Sequence, residues 1–305
     1  MILVVWEASA SRNYRKVNSS AQKKLSIPPL ANIRDLITAA HEIEKSEELN
    51  ILPEKRWLQQ LVNPGTSLGG ARPKAGVIDK ENTLYVAKFP SRKDDYDVAL
   101  WEHLCHLLAK QAGINVAETS ILKAGKQYHT MLSKRFDRKE NGRRVHFASA
   151  MTLLGLTDGC NADTGNGYLD IVDFIIQSCC DVEANLRELC RRVAFNICVG
   201  NSDDHFRNHG FLLTPHGWTL SPAYDINPTV NEYQSILITT SSNEANLGLL
   251  LEAAKDYMIP DRVAESIIRK VVQVVSSWKT LAAKLGIPKR ELALFETRIG
   301  SKSLP

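Results

Sequence analysis

Asp203 and Asn208 stand five positions apart in the run Asn201-Ser-Asp-Asp-His-Phe-Arg-Asn-His209, and this spacing constrains the chain more than any other feature. D-x-x-x-x-N is the spacing of a phosphoryl-transfer catalytic loop. That chemistry needs a carboxylate to orient the attacking hydroxyl and accept its proton. It also needs an amide oxygen beyond the turn to help hold Mg²⁺. Gly210-Phe-Leu-Leu213, a turn at Pro215-His-Gly217 and Trp218-Thr-Leu220 then read as a hairpin. The hairpin brings Ala223-Tyr-Asp225 back, so Asp225 becomes a third oxygen ligand beside the first two. Two acids and an amide suit Mg²⁺ shared with ATP phosphates. Taken alone, the Asp-Asp-His run would be a polar loop that turns the chain; spacing, hairpin and returning acid together select phosphoryl transfer.

The remaining composition narrows the setting. A chain of 305 residues, 44% apolar and 24% charged, has material for one large domain or two lobes. A formal charge of +4 is too small to name nucleic acid as a direct partner. No apolar run reaches the length of a membrane span, and Ile2-Leu-Val-Val-Trp6 lacks a basic flank and is too short for a signal segment. It reads as one strand. The six cysteines contain no C-x-x-C pair, which points to reduced thiols in a cytoplasmic protein.

Before the central loop, residues 1–28 form either a loose extension or the remnant of a subdomain. Pro28-Pro29 opens a helix with Leu30, Ile33, Ile37, Ala40 and Ile43 on one face. In Asn63-Pro-Gly-Thr-Ser-Leu-Gly-Gly-Ala-Arg-Pro-Lys74, glycines allow close backbone approach to a ligand while Arg72 and Lys74 supply positive charge. Leu84-Tyr-Val-Ala-Lys-Phe89 is a strand whose Lys88 either grips phosphates or faces outward at a sheet edge. A helix from Asp97 to Gln111 turns Leu100, Leu104, Leu107 and Leu108 inward, and its Glu102 either pairs with Lys88 or is solvated. Strands at 120–122 and 128–132 precede a basic connector that marks a hinge. Helices are expected at 168–177, 183–199, 243–257, 261–285 and 289–297, with Gly200 closing the second and aiming the 201–208 loop.

Ser67-Leu-Gly-Gly-Ala-Arg-Pro-Lys74, Lys88-Phe-Pro90, Lys134-Arg-Phe-Asp137, Asp203-Asp-His-Phe-Arg-Asn208 and Tyr224-Asp-Ile-Asn-Pro228 occur in an order that resembles the HipA-type serine/threonine kinases, toxins of bacterial toxin–antitoxin pairs. The resemblance runs from about Pro28 onward. It implies an α+β, two-lobed protein-kinase-like fold, with an N-lobe over 29–135 and a helical C-lobe over 136–305. It implies ATP with Mg²⁺ and transfer to a protein, with an aminoacyl-tRNA synthetase as the suggested substrate and a HipB-like DNA-binding antitoxin as partner. Asp203 matches the catalytic acid, Asn208 and Asp225 the metal ligands, and Lys88 the phosphate lysine. Gly69, Gly70, Ala71, Arg72, Pro73 and Lys74 would cover the triphosphate. Lys134, Arg135 and Phe136 would meet adenine, while His205 and Tyr224 fall inside matched nucleotide-contact motifs. Ser67 matches the autophosphorylated serine, and a phosphate there would repel the nucleotide.

Two departures stand out. Fewer than 30 residues precede the first helix, which resembles the split branch of the family, where a separate small protein supplies the N-terminal subdomain. The residue after Asp203 is a second acid, Asp204, so spacing alone chooses between them. Two rival readings use the same residues: a small-molecule kinase, which would need an acidic or polar substrate pocket, and a catalytically quiet nucleotide-binding partner of an antitoxin.

Overall fold

The computed structural model describes residues 27–61, 72–125, 127–139, 142–229 and 231–302. Its first layer is a four-stranded antiparallel sheet in the order β1-β2-β4-β3, from β1 (Lys74–Ile78), β2 (Leu84–Lys88), β3 (Thr119–Leu122) and β4 (Thr130–Lys134). A short 3-10 turn and α1 (Ile33–Glu48) precede the sheet. The apolar stripe read from the sequence is the buried one: Ile33, Leu36, Ile37 and Ala40 pack on Ala75, Val77, Ala87, Phe89 and Leu132. Helix α2 (Lys55–Leu61) follows before the sheet begins.

Helix α3 (Val98–Gln111) crosses to the larger core through Leu100, Trp101, Leu104 and Leu108. Its start is fixed by three contacts. Asp97 caps Leu100 N at 3.2 Å and holds the His129 ring at 2.5 Å, and Glu291 accepts the Trp101 indole N–H at 3.0 Å. Buried acids need such partners, since an unpaired one is strongly unfavourable. The helix therefore has little freedom to shift, which matters for Glu102 on its inner side.

The second half holds more sheet than its helical pattern predicts. β5 (Phe147–Ser149), β6 (Gly210–Thr214) and β7 (Gly217–Leu220) form a three-stranded antiparallel sheet. The β6–β7 hairpin was legible; β5, only three residues long, was not. Helices α4 (Ala150–Leu153), α5 (Tyr168–Ser178), α6 (Val182–Val199) and α7 (Leu247–Glu252) surround it, with α8 (Asp261–Val275), α9 (Trp278–Lys284) and α10 (Lys289–Phe295) behind. Helix α6 is the axis of this half, with Leu186, Leu189, Cys190, Val193, Ala194 and Ile197 all buried.

Two helices are shorter than the sequence suggests. The expected 261–285 helix breaks at Ser276 and Ser277, whose hydroxyls donate back to the carbonyls of Gln273 and Val274, each at 2.8 Å. Serine competes with the backbone ladder in this way. The expected 243–257 helix begins only at Leu247, because the Asn246 side chain accepts from Gly248 N at 2.8 Å as an N-cap.

Candidate active site

Helix α6 ends at Gly200 in the left-handed conformation (φ 73°), and the chain turns at once into the 201–209 loop. Gly is the residue that adopts this conformation without steric cost. The loop is held from both sides. Ser202 N donates to Thr229 Oγ1 at 3.2 Å, and Ser202 O accepts from Ser235 N at 3.0 Å. Phe206 is buried as an anchor, and its carbonyl accepts from Met151 N at 3.2 Å.

The two adjacent acids have opposite environments. Asp203 projects outward with its side chain 75% exposed, and His205 Nε2 lies 4.0 Å from it. Asp204 is 3% exposed and receives the Tyr168 hydroxyl, Asn196 Nδ2 at 2.5 Å and His209 Nε2 at 3.0 Å. Burial alone would raise the Asp204 pKa, but His209 and the donor set pull it below its ordinary value. Burial, reinforced by Asp204, pushes the Tyr168 hydroxyl well up, so it remains a donor. Asp204 ties α5, α6 and the loop together, and its acceptor capacity is used internally. Asp203 alone has an open carboxylate.

Asn208 Nδ2 donates to the Asp203 carbonyl at 2.8 Å, which leaves Oδ1 as the amide atom for an outside partner. Asp225 follows the β6–β7 hairpin with φ 60°, a backbone state uncommon outside glycine. Its Oδ1 accepts from Lys88 Nζ at 2.7 Å. Lys88 also donates to Glu102, whose side chain is 2% exposed. β2 is an interior strand, so Lys88 is not an outward edge lysine, and Glu102 is not solvated.

Lys74 and Lys88 are direct register partners across β1 and β2. Two like charges so placed repel, and anions must offset them. Burial would lower the Lys88 pKa, yet Glu102 and Asp225 outweigh burial and raise it, so it stays an ammonium. Burial lowers the Lys74 pKa; Asp225 opposes that shift and Lys88 adds to it. Burial would raise the Asp225 carboxyl, but Lys88, then Lys74, hold it down at about 2. Burial drops the pKa of His106, one helical turn from Glu102, to about 3, so the ring is neutral. The result is a pair of cations facing a carboxylate that cannot protonate near neutral pH.

The other expected contacts are distributed more widely. Arg72 is engaged by Asp94 in a two-pronged pair at 2.9 and 2.5 Å, so its charge is already matched. The Pro73 carbonyl accepts from Phe89 N at 2.9 Å, tying the start of β1 to the strand end that carries Lys88. Lys134 is half-exposed and reaches Glu118 at 3.3 Å. Arg135 turns back onto Asp137 at 2.8 and 2.6 Å. Phe136 instead joins an aromatic cluster, its ring centroid 5.8 Å from both Phe147 and Tyr224. The Tyr224 hydroxyl donates to the Arg207 carbonyl at 2.7 Å and so links the returning segment to the loop. Ser67, Gly69, Gly70 and Ala71 lie outside the described residues.

Sequence reasoning missed Phe147, Tyr168 and Asn196 at this site. Phe147 lies opposite Leu212 in the β5–β6 pairing, a relation with no local signature. Tyr168 and Asn196 sit in helical stretches where a polar atom carries no mark of its partner. Among the described residues no group of three or more His, Cys, Asp or Glu side chains is arranged to hold a metal. The Asp225 carboxylate and Asn208 amide are nonetheless hard oxygen donors. With phosphate oxygens they fit Mg²⁺, which usually takes only one or two carboxylates from protein. No described helix is long and apolar enough to cross a membrane.

The arrangement at the end of helix α6 thus comprises an ion-paired strand lysine, an exposed loop acid five residues before an asparagine, and a returning aspartate. The comparisons agree at the level of fold and family. The family model of the HipA-like C-terminal domain matches residues 66–278, and the chain belongs to that family. The serine/threonine-protein kinase toxin HipA of Shewanella oneidensis is 26% identical over 214 residues, 62% of this chain and 48% of that protein. A second curated relative, from Haemophilus influenzae, is 27% identical over 214 residues, 64% of this chain and 60% of that one. The chain thus spans about half to three-fifths of the length of these relatives. Among solved structures, the Shewanella oneidensis HipA–HipB–operator DNA complex aligns with TM-score 0.66 at 19% identity, over 92% of this chain and 71% of that one. The Helicobacter pylori proinflammatory kinase CtkA aligns with TM-score 0.50 at 15% identity, over 73% of this chain and 93% of that one. The fold is the two-lobed α+β kinase-like fold expected from the motifs.

Proposed function

We infer that this chain is an ATP- and Mg²⁺-dependent serine/threonine protein kinase, the toxin of a toxin–antitoxin pair. The observation that carries the reading is the division of labour among four acids. Glu102 and Asp225 both bind Lys88, Asp204 is consumed inside the loop, and Asp203 is left exposed. A binding-only protein has no use for the last of these. The lobes are taken as 29–135 and 136–305, with the phosphates between the Lys74–Lys88 pair and Asp225.

In this reading Asp203 orients the acceptor hydroxyl and takes its proton. The hydroxyl oxygen bonds to the γ-phosphorus as the bond to the β–γ bridging oxygen breaks and ADP leaves. Lys88, oriented by Glu102, positions the phosphates. Asn208 and Asp225 would hold Mg²⁺, which when bound neutralises charge on the phosphate oxygens. The Phe136, Phe147 and Tyr224 rings offer an apolar, stacking surface for adenine. A HipB-like antitoxin as partner draws support from the complex in which the structural neighbour was solved. An aminoacyl-tRNA synthetase as substrate, and Ser67 as an autophosphorylation site, rest on the motif resemblance.

Incubation with γ-labelled ATP and Mg²⁺ tests the reading. Label on protein from wild type, and none from Asp203→Asn with ATP binding retained, is the expected result. ATP binding without transfer to any protein, including itself, would reduce the chain to a nucleotide-binding module.

A further inference from the structure

Lys88 and a divalent cation at this site compete for the same carboxylate. Of the two hard oxygen donors, Asn208 and Asp225, only Asp225 carries charge, and its Oδ1 already accepts from Lys88 Nζ at 2.7 Å. Lys74 lies opposite Lys88 in the sheet and within electrostatic reach of both acids. Two lysines thus stand against two carboxylates, Glu102 and Asp225, and the charges cancel. A dication brought to Asp225 meets no net negative charge and stands beside an ammonium. Like charges in a partly desolvated site repel far more strongly than on an exposed surface.

Only one of the two contacts made by Lys88 can yield. The Glu102 side chain is 2% exposed, on a helix whose start is pinned through Asp97 and Glu291. The Asp225 side chain is 38% exposed and can turn toward solvent. An ammonium has three donors, and the two acids take two of them. The third suits a phosphate oxygen, which would bring the negative charge that the cluster lacks. Lys88 can then swing from Asp225 to phosphate about its fixed contact with Glu102, which releases the carboxylate.

We propose that the Lys88–Asp225 ion pair gates the metal position, so that Asp225 takes a divalent cation only when nucleotide phosphates draw Lys88 away. The proposal deepens the kinase reading and rests on it for the identity of the anion. It adds an order to that reading: phosphates arrive before the metal or together with it, and the metal alone does not load.

The test reads cation binding and needs no phosphoryl transfer. Mn²⁺ is the probe, since it takes the same oxygen donors as Mg²⁺ and its free ion gives an electron paramagnetic resonance signal that is lost on binding. Without nucleotide, wild type and Lys88→Arg should leave that signal nearly unchanged. Lys88→Met should bind Mn²⁺ at least about tenfold more tightly, within the roughly 5–150-fold span of such couplings. Lys88→Met/Glu102→Gln lacks the stranded buried acid and should show the same gain, which keeps the test readable if Lys88→Met unfolds. Adding Asp225→Asn should remove the gain. With ADP present, wild type should bind Mn²⁺ beyond what ADP alone chelates. Wild type that binds Mn²⁺ without nucleotide as tightly as Lys88→Met overturns the proposal. So does a folded double variant with no gain, a gain that survives Asp225→Asn, or no added binding with ADP. A gain at Asp225 in the Lys88 variants, beside a wild type that binds no ADP at all, would retain Lys88 as the block and reject the kinase reading.

Discussion

Replacing Lys88 with Met isolates the ion pair on which the site is built. Two carboxylates lose their partner, but they are not equivalent. The Asp225 side chain is 38% exposed and can turn to solvent, whereas Glu102 at 2% cannot. Breaking a buried pair by removing one member costs about 3–5 kcal/mol, most of it the penalty of the stranded charge. At about 2 °C per kcal/mol for a chain of this length, the midpoint of thermal unfolding should drop by about 6–10 °C. Burial already pushes the Glu102 carboxyl up, and Lys88 is the leading influence that opposes it. Without Lys88 the folded-state pKa rises further above the ordinary 4.5. A carboxyl raised in the folded state penalises folding fully above that raised pKa and not at all below its unfolded value. The deficit of Lys88→Met should therefore be largest at neutral pH and shrink as pH falls toward about 4.5. Thermal melts of wild type, Lys88→Met and Lys88→Met/Glu102→Gln across pH 5–8 read this directly. The double variant should recover most of the lost stability while remaining inactive. A deficit that is independent of pH, or a double variant as unstable as the single, would refute the buried-pair account.

Other outcomes follow from the same geometry. A Cβ on Gly210 would lie 2.3 Å from Phe147 Cε2 and 2.7 Å from Ser221 Oγ, so Gly210→Ala should cost about 1–3 kcal/mol in chemical denaturation by overpacking. Phe147→Ala should be tolerated better for stability, since the ring is 36% exposed, but should weaken ATP binding measured by calorimetry. Tyr168→Phe removes one donor from Asp204 and should lower stability by about 1–3 kcal/mol, with a larger fall in kcat than in ATP affinity as the loop loosens. Asp225, held at about 2 against an ordinary 3.8, contributes stability above pH 3.8 that is lost as pH falls toward 2. The stability difference between wild type and Asp225→Asn should therefore be constant above about pH 4 and vanish near pH 2 in acid titrations followed by circular dichroism.

The legible parts of this chain were those whose information is local. Helical periodicity marked the buried stripe of α1 and the whole of α6, and hairpin chemistry marked β6–β7. The D-x-x-x-x-N spacing with Asp225 returning also lay within 23 residues of sequence. Choosing between Asp203 and Asp204 was a different matter. Spacing favoured the first, and in the structure three donors from α5, α6 and the loop exit converge on the second while the first stays exposed. None of those donors announces its target in sequence. Glu102 was ambiguous for the same reason, since a glutamate among leucines on a helix reads equally as solvated or paired until the sheet is placed. The β5 strand depends on pairing with a segment more than 60 residues further on, where periodicity carries nothing. Arg72 was read as free charge because Asp94, its partner, lies 22 residues on.

The central claim is that Asp203, and not its buried neighbour, orients the acceptor hydroxyl. The most direct measurement is single-turnover transfer of γ-labelled phosphate from ATP, made in parallel with ATP-binding calorimetry, on Asp203→Asn and Asp204→Asn. A general base contributes about 10²–10⁴-fold, so Asp203→Asn should lose at least that much transfer with ATP affinity, unfolding temperature and circular dichroism unchanged. Asp204→Asn should lower the unfolding temperature and lose transfer only in proportion to that damage. Full transfer by Asp203→Asn, with transfer abolished in a stably folded Asp204→Asn, would contradict the account.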